Sequence, residues 1–537
     1  MTFRYHEETK HRPHRYARSA GFLDWPNEPH PFRLYEGAER FSLPLISKDP
    51  SAGYIDLYER GRNAFKPFSF ENISKLLELS LGLSAWKSQG EASWALRMNP
   101  SSGNLHPTEA HLILPPLVET GGNAGVYHYN PYLHALERRV VLDAEIWSEI
   151  RQHFGVDGFF AGLSSIYWRE SWKYGERAFR YCNHDVGHAL TCLSFAGNLM
   201  GWKVTHLDSL SDRDIETLLG FRKTSWHKFE RENPELILFI HPGSETFSPP
   251  GPNQRIIDLF EPLDFVGIPN RLSNDHKDWR IIDEVSEATE KSSTAHVPFK
   301  FRDYPFFANK TLSDQAAAVI RARRSATAFD AMTSMSKNNL FEILDRTIPR
   351  QNCAPFDIQP DEPVIHLFIF VHRIDGLDPG LHVLVRNEAD IEELRKCCHE
   401  EFAWKEVAGA PEQLRFFLLK KGDYQSTAAN AGCYQEIASD GVISVAMIAK
   451  FRNKIEQHPS DYRRLHWEAG MIGQVLYLEA EAHGMRGTGM GCFFDDVTHD
   501  IIGLSDNTFQ DIYHFSIGKP VEDRRLSILP PYHHIAM

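Results

Sequence analysis

Four short stretches of this chain carry residue types that could do chemistry. The first runs Asn99, Pro100, Ser101, Ser102, Gly103, Asn104, Leu105, His106, Pro107. Small hydroxyl residues, a glycine and two prolines let backbone amides and hydroxyls come close to the edge of a planar ligand. The same composition also makes an ordinary turn. The second is Arg321, Ala322, Arg323, Arg324, Ser325 at the end of a helical pattern. Three cations and a hydroxyl can hold a phosphate through charge-assisted hydrogen bonds, or they can simply complement the dipole of a helix C-terminus. The third, residues 486–493, alternates glycines at Gly487, Gly489 and Gly491 around Thr488 and Met490 and ends in Cys492 and Phe493. It permits close backbone approach to a ring or phosphate, yet it comes after a helix and meets neither nucleotide fingerprint. A helix cap and a bend read as well. The fourth places Lys173 beside Tyr174, ahead of Gly175, Glu176 and Arg177. That pair can move a proton if a pocket tunes it, or it is a solvated helix start.

Other candidates are weaker. His184 and His188 have the i, i+4 spacing of a metal pair, but no third ligand or HExxH pattern accompanies them, so no metal site is expected. Cys397 and Cys398 are adjacent and read as packing, since neighbouring cysteines rarely close a relaxed disulfide.

The elements that must position these residues occur twice. Asp185 aligns with Glu468, and without a gap Gly187 meets Gly470, Gly201 meets Gly484 and Gly220 meets Gly503. In a second block residues 110–114 meet 365–369, and Gly125 meets Gly380. Two halves built alike predict a pseudo-dimer folded from one chain. In the first half, helices are expected over 70–83, opening after Ser69 as N-cap, and over 178–202; strands are expected over 111–115, 125–129 and 235–241. In the second, helices are expected over 312–323, 338–346 and 465–483, and strands over 364–372, 381–386 and 512–517. The boundaries read as a 1–50 extension wrapping the first half, half one at 51–243, a linker at 244–310 with a flexible polar stretch at 286–295, and half two at 311–537.

Bulk composition narrows the function. The chain has 537 residues, 42% hydrophobic and 24% charged, which suits globular units each burying a core. A net charge of −14 argues against nucleic-acid binding, although a local basic pocket is compatible with it. Seven cysteines without a CxxC pair point to a reducing, cytoplasmic setting. No apolar run predicts a membrane span, and residues 1–20 read as neither signal peptide nor anchor.

Taken together the segments resemble the FMN-dependent nitroreductase superfamily, and within it the SagB-type thiazole/oxazole (azoline) oxidases. Residues 9–11, 23–25, 31–38, 100–107, 173–177, 179–181, 468–470 and 487–493 carry the resemblance, in tandem over nearly the whole chain. It implies an α+β fold: two halves, each an antiparallel sheet flanked by helices. It implies FMN at the junction, with Arg323, Arg324, Ser325, Gly489, Met490, Gly491 and Arg524 or Arg525 from half two. Pro100, Ser101, Ser102 and Asn104 come from half one. Lys173 and Tyr174 match the family's catalytic Lys-Tyr pair; residues 456–457, opposite them, hold no such pair. Thr327 stands where an arginine often accompanies the Arg-Arg-Ser motif, with Arg321 nearby.

The mirror-image site is degraded: residues 59–61 (Glu-Arg-Gly) oppose 323–325, residues 205–208 (Thr-His-Leu-Asp) oppose 488–491, and residues 355–359 (Pro-Phe-Asp-Ile-Gln) oppose 100–104. One FMN per chain is therefore expected. The implied reaction is hydride transfer from a substrate C–H to flavin N5, on an azoline in a peptide or carrier-bound substrate, with a peptide cyclase or carrier as partner. An NAD(P)H-dependent nitro or quinone reductase and a non-catalytic scaffold for a peptide cyclase are the alternatives.

Overall fold

A computed structural model describes residues 1–243, 249–293, 298–307 and 314–535. The two aligned apolar runs become the central strands of two seven-stranded sheets. In chain order the first half contributes β1 (Glu39–Ser42), β2 (Leu83–Gln89), β3 (Ala92–Arg97), β4 (Thr108–Leu114), β5 (Ala124–Asn130), β6 (Ala135–Leu142), β7 (Phe159–Ser165), β8 (Trp202–His206) and β9 (Asn233–Pro242). The second contributes β10 (Ile365–Val371), β11 (Gly380–Val385), β12 (Lys405–Glu406), β13 (Arg415–Lys421), β14 (Ile443–Lys450), β15 (Arg486–Met490), β16 (Phe509–Gly518) and β17 (Ser527–Leu529). The sheet orders are β1-β6-β5-β4-β7-β9-β8 and β12-β13-β11-β10-β14-β16-β15, antiparallel throughout. Only the edge strand differs: β1 precedes its hairpin, whereas β12 sits between β11 and β13.

The helices that matter to the site are α1 (Thr2–Glu8), α2 (Phe70–Ser80), α3 (Tyr167–Tyr174), α4 (Ala178–Leu199), α5 (Arg280–Ala288), α6 (Ala316–Ala322), α7 (Gln425–Ala431), α8 (Asp461–Ala482) and α9 (Asp495–Ile502). Ser69 caps α2, its hydroxyl accepting from the Asn72 amide at 3.3 Å. Every residue of α4 is buried, because it lies between its own sheet and α8. The two helices cross at the aligned glycines. A Cβ on Gly187 would stand 2.2 Å from the Trp467 carbonyl oxygen, and one on Gly470 would stand 2.2 Å from that of His184. Backbone meets backbone there, and only glycine permits it. One apolar core runs from Leu76 and Leu112 through Leu193 to Leu476 and Phe515, so the halves share a single interior.

Two expectations need correction. The N-terminal segment does not wrap the first half alone. His6 meets the Tyr462 hydroxyl at 3.3 Å, Lys10 pairs with Asp496 at 3.0 Å, and Tyr5 donates to the Glu176 carbonyl at 2.6 Å, so α1 and the residues just after it tie both halves together. The segment after β9 is also more than a linker. It contains a helix at Gln254–Phe260 and α5, whose Ile281, Ile282 and Val285 share one buried face, and Ser286 is helical rather than flexible. Residues 294–295 of that polar stretch, and 312–313 at the start of the expected helix, lie outside the described residues.

The β2–β3 hairpin was not expected. β17 crosses back from the end of the chain to pair with β2, making a three-stranded sheet from both halves. Tyr532 locks it, its hydroxyl accepting from the Leu83 amide at 2.9 Å. Among the described residues no helix is long and apolar enough to cross a membrane.

Candidate active site

Between the halves lies a cleft to which both contribute. Lys87, Arg97 and residues 99–104 come from half one together with His106, Asp185 and His188; residues 323–325, Thr327, Tyr477, Thr488, Gly489 and Tyr513 come from half two. Sequence positions remote in the chain are thus brought together across the junction that α4 and α8 form.

The 100–104 loop is held in an unusual shape. Gly103 has φ 60°, and Asn104 and His106 share that left-handed region at 62° and 53°. For non-glycine residues this conformation is costly and persists only where surroundings impose it. The surroundings here are specific. The His106 amide donates to Ser101 Oγ at 2.8 Å, Asn104 Nδ2 donates to the Ala95 carbonyl at 2.9 Å, and the Ser102 amide and hydroxyl both donate to Asp185 Oδ1, at 3.1 and 3.3 Å. Ser101 and Asn104, expected to touch a ligand, therefore also build the loop. Burial pushes the Asp185 carboxyl up to about 7, against the hydrogen bonds from the two serines.

Lys173 and Tyr174 end α3 directly behind this loop. A Cβ on Gly103 would stand 2.5 Å from Tyr174 Oη and 3.1 Å from Lys173 Nζ, so both side chains abut the glycine that faces the cleft. Lys173 Nζ lies 5.4 Å from the Tyr174 ring centre. Burial, then the nearby Glu170, raise the Tyr174 hydroxyl well above its ordinary value, so it is a proton donor in this environment.

On the opposite wall Arg323 and Arg324 bond only to carbonyl oxygens. Arg323 donates to Met98 and Arg97 at 3.2 Å each, and Arg324 to Arg321 at 2.9 Å and Ser84 at 3.0 Å. Arg323 Nη1 is buried without a hydrogen-bond partner. Burial, then Arg323 and Arg486, bring Arg324 down to about 10; burial, then Arg324 and Arg486, lower Lys87. Crowded cations with spare donors, neither arginine in an ion pair among the described residues although Glu481 lies near enough to act on both, fit a dianion. Tyr477 organises the wall: its hydroxyl meets Ser325 Oγ at 2.9 Å and accepts from the Gly489 amide at 2.9 Å, and its ring lies 5.2 Å from the Arg323 guanidinium. At Gly489 a Cβ would stand 1.9 Å from Tyr513 Oη, so the strand can lie flat there only as glycine. His188 Nε2 meets that same tyrosine hydroxyl at 3.1 Å, and His184 stacks on its ring.

Of the expected residues, the structure brings Pro100, Ser101, Ser102, Asn104, Arg323, Arg324, Ser325 and Gly489 to one cleft, with Lys173 and Tyr174 against it. Others fall elsewhere. Met490 points into the half-two core, because side chains alternate along β15. Gly491 packs on Tyr181, where its Cβ would stand 1.8 Å from the ring. Arg524 and Arg525 are exposed, and Arg525 pairs with Asp523 at 2.7 Å. Arg321 pairs with Asp49 and Glu78, so it does not substitute for the arginine absent at Thr327. Sequence reasoning missed Lys87, Tyr477 and Tyr513. Lys87 lies on the unrecognised hairpin and lines the cleft, which Arg524 and Arg525 do not reach. Tyr477 aligns with Ser194 in the repeat, and that mismatch at a buried position was the available signal.

With the geometry established, comparisons with known proteins give a consistent picture. Residues 320–519 match the model of the nitroreductase family. The "Putative nitroreductase" of Methanocaldococcus jannaschii is 27% identical over 130 residues, which is 23% of this chain and 64% of that protein, so the match spans less than two thirds of the relative. Among solved structures, "a putative nitroreductase from anabaena variabilis" is similar over 97% of this chain and 99% of its own, with a TM-score of 0.69 and 20% identity. The last comparison shows that the two-half fold extends over the whole chain.

Proposed function

We propose that this chain is an FMN-dependent oxidoreductase with one composite site, acting as a dehydrogenase on an azoline-type peptide or carrier-bound substrate. The observation that carries this reading is the convergence, at one cleft between the halves, of two arginines outside any ion pair among the described residues and a strained Ser-Ser-Gly-Asn loop backed by Lys173 and Tyr174. The match of residues 320–519 to the nitroreductase family supports the cofactor, because it covers the half that holds the arginines.

Arg323, Arg324, Ser325 and Lys87 would hold the phosphate, while the 100–104 loop and the Gly489 backbone would face the ring system. FMN supplies reversible two-electron chemistry as a hydride acceptor. The chain's own part is to bind, orient and handle the proton. Tyr477 fixes Ser325 and the Gly489 amide, so the phosphate grip and the ring-facing strand keep one spacing. Asp185 fixes the loop from behind through Ser102. Dehydrogenating a C–H next to a heteroatom releases a proton as well as a hydride. Lys173 Nζ and the Tyr174 hydroxyl are the titratable groups set against the loop, and together they would relay that proton away from the substrate. A reductase supplied with hydride by a nicotinamide has no such need.

The test is flavin content on the purified protein, and then turnover. About one FMN per chain and oxidation of an azoline peptide to the azole are expected. Protein that binds no FMN overturns the oxidoreductase reading. FMN binding with NADPH-driven nitro reduction and no azoline oxidation replaces the dehydrogenase with a reductase.

A further inference from the structure

One cluster of reactive groups lies outside the cleft. Cys492 comes directly after the glycine strand, and Cys433 lies just past α7. The chain on either side of Cys433 packs against that around Cys492, each thiol is the strongest single influence on the other's charge, and the His11 ring also acts on Cys492. The Ala17 amide donates to His11 Nδ1 at 2.9 Å, so that nitrogen is an acceptor and the ring proton sits on Nε2, free to be donated to Cys492. Both cysteines are partly exposed, unlike the buried Cys182 and Cys192.

The surroundings hold the pair together. Cys433 and Tyr434 are consecutive non-glycine residues in the left-handed region, with φ 56° and 61°. Such a pair needs outside restraint, and the chain around Cys492 provides it. Gln435 Nε2 donates to the Cys492 carbonyl at 2.9 Å, the Phe494 amide donates to the Ala431 carbonyl at 2.7 Å, and the Tyr434 and Phe494 rings meet at 5.1 Å. Among the described residues, His11, Tyr16, Tyr174, Arg177, Tyr181 and Asp495 are titratable or charged groups around the two sulfurs.

We propose that Cys433 and Cys492 form a redox-active dithiol that a hydroperoxide converts to a disulfide, with Cys492 as attacking thiolate and Cys433 as resolving thiol. Cys492 Sγ attacks the terminal peroxide oxygen; the O–O bond breaks, an alcohol or water leaves, and Cys492 becomes a sulfenic acid. Cys433 Sγ then attacks that sulfur; the S–O bond breaks, hydroxide leaves with the Cys433 proton as water, and the S–S bond forms. Two thiols lose two electrons, and the peroxide gains them. The polarity of the pair comes from its neighbours. Cys433, and then His11 and the charge of Arg177 working against burial, draw Cys492 down to about 5, while its partner is pushed up. The site also adjoins the cleft: Gly491, one residue before Cys492, packs on Tyr181, whose ring centre is 4.5 Å from that of Tyr174. The thiol chemistry requires no flavin in the cleft.

The test uses the full-length protein in thiol-free buffer. Alkylation by iodoacetamide at pH 6 is expected to modify Cys492 at least about 10-fold faster than the partly exposed Cys353. One equivalent of hydrogen peroxide is expected to remove two alkylatable thiols and give a Cys433–Cys492 cross-linked peptide by mass spectrometry, reversed by dithiothreitol. In Cys433→Ser the same treatment leaves a dimedone-reactive sulfenic acid on Cys492. Absence of the cross-linked peptide from the parent, or a Cys492 that alkylates no faster than Cys353, overturns the proposal; both readouts come from the parent, so a poorly folding variant does not decide the outcome.

Discussion

The two halves carry two aligned junctions, and these differ in kind. At the first, Arg323 and Arg324 bond only to backbone carbonyls and Gly489 leaves the strand bare. At the second, Arg60 stands opposite Arg324 in the alignment but is bound bidentately to Asp357 at 2.8 and 2.9 Å, and also donates to Ser194 Oγ and the Trp202 carbonyl. His206, opposite Gly489, fills its position and bonds Gln359 at 2.8 Å. Arg464 pairs with Asp208 at 2.8 Å, and Phe299 from the connecting segment lines the remaining cavity. Both junctions hold arginines. They differ in whether an ion pair within the chain already holds the arginine, and a buried ion pair satisfied internally has nothing left for a ligand.

That contrast can be broken most severely at the proton-handling pair. Tyr174→Phe is expected to lower turnover by about 10²–10⁴-fold with flavin content unchanged, the range typical of a lost general acid–base group. Gln457→Ala, at the exposed aligned position, is expected to leave both turnover and flavin content as they were. The next largest effect separates the arginines. Arg324→Glu puts a like charge against the phosphate and is expected to weaken FMN by about 2–5 kcal/mol, a fold-change of roughly 30 to 5,000, with little change in melting temperature.

Arg60→Ala should do the reverse. It keeps the flavin and costs about 3 kcal/mol of stability, because Asp357 is left buried and unpaired. Flavin titration and thermal melts on the same two variants check both. If Arg60→Ala loses flavin, the second junction is not the closed one.

The two-half plan was legible because it rests on periodicity and repeated glycines. Gly187 and Gly470 aligned in the sequence, and they turn out to be the point where α4 and α8 touch. The central strands, residues 111–114 and 365–369, were likewise visible as apolar runs. What failed was of a different kind. Leu83–Gln89 mixes small, polar and aromatic residues, so its strand character arises from pairing with β3 and β17 rather than from pattern. Lys87 was lost with it. Arg524 and Arg525 were credited from resemblance alone, and nothing local could show that the chain turns at Asp523 and leaves them in solvent. Ser101 and Asn104 were visible as polar loop residues, but their bonds to His106 and Ala95 are tertiary facts.

The smallest effect sharpens the comparison at one aligned pair. Asp185 and Glu468 occupy equivalent positions on α4 and α8. Glu468 is neutralised by Arg386 and also accepts from the Val364 amide. Asp185 instead takes its hydrogen bonds from neutral serine donors, and burial lifts its carboxyl to about 7. The folded state therefore holds a proton that the unfolded chain, with an aspartate at about 3.9, releases earlier. Stability from this group is fully present below about pH 4 and falls as pH rises through 7. Asp185→Asn keeps an oxygen to accept from Ser102 and removes that loss, so its stability gain over the parent should be absent at pH 4 and largest above pH 7. Glu468→Gln should be destabilising across that range, since it strands the Arg386 charge. Denaturant titrations of both variants at pH 4, 6 and 8 check the pair. An Asp185→Asn gain that does not grow with pH would mean the carboxyl is already ionised in the folded protein and that the loop is held by a charge.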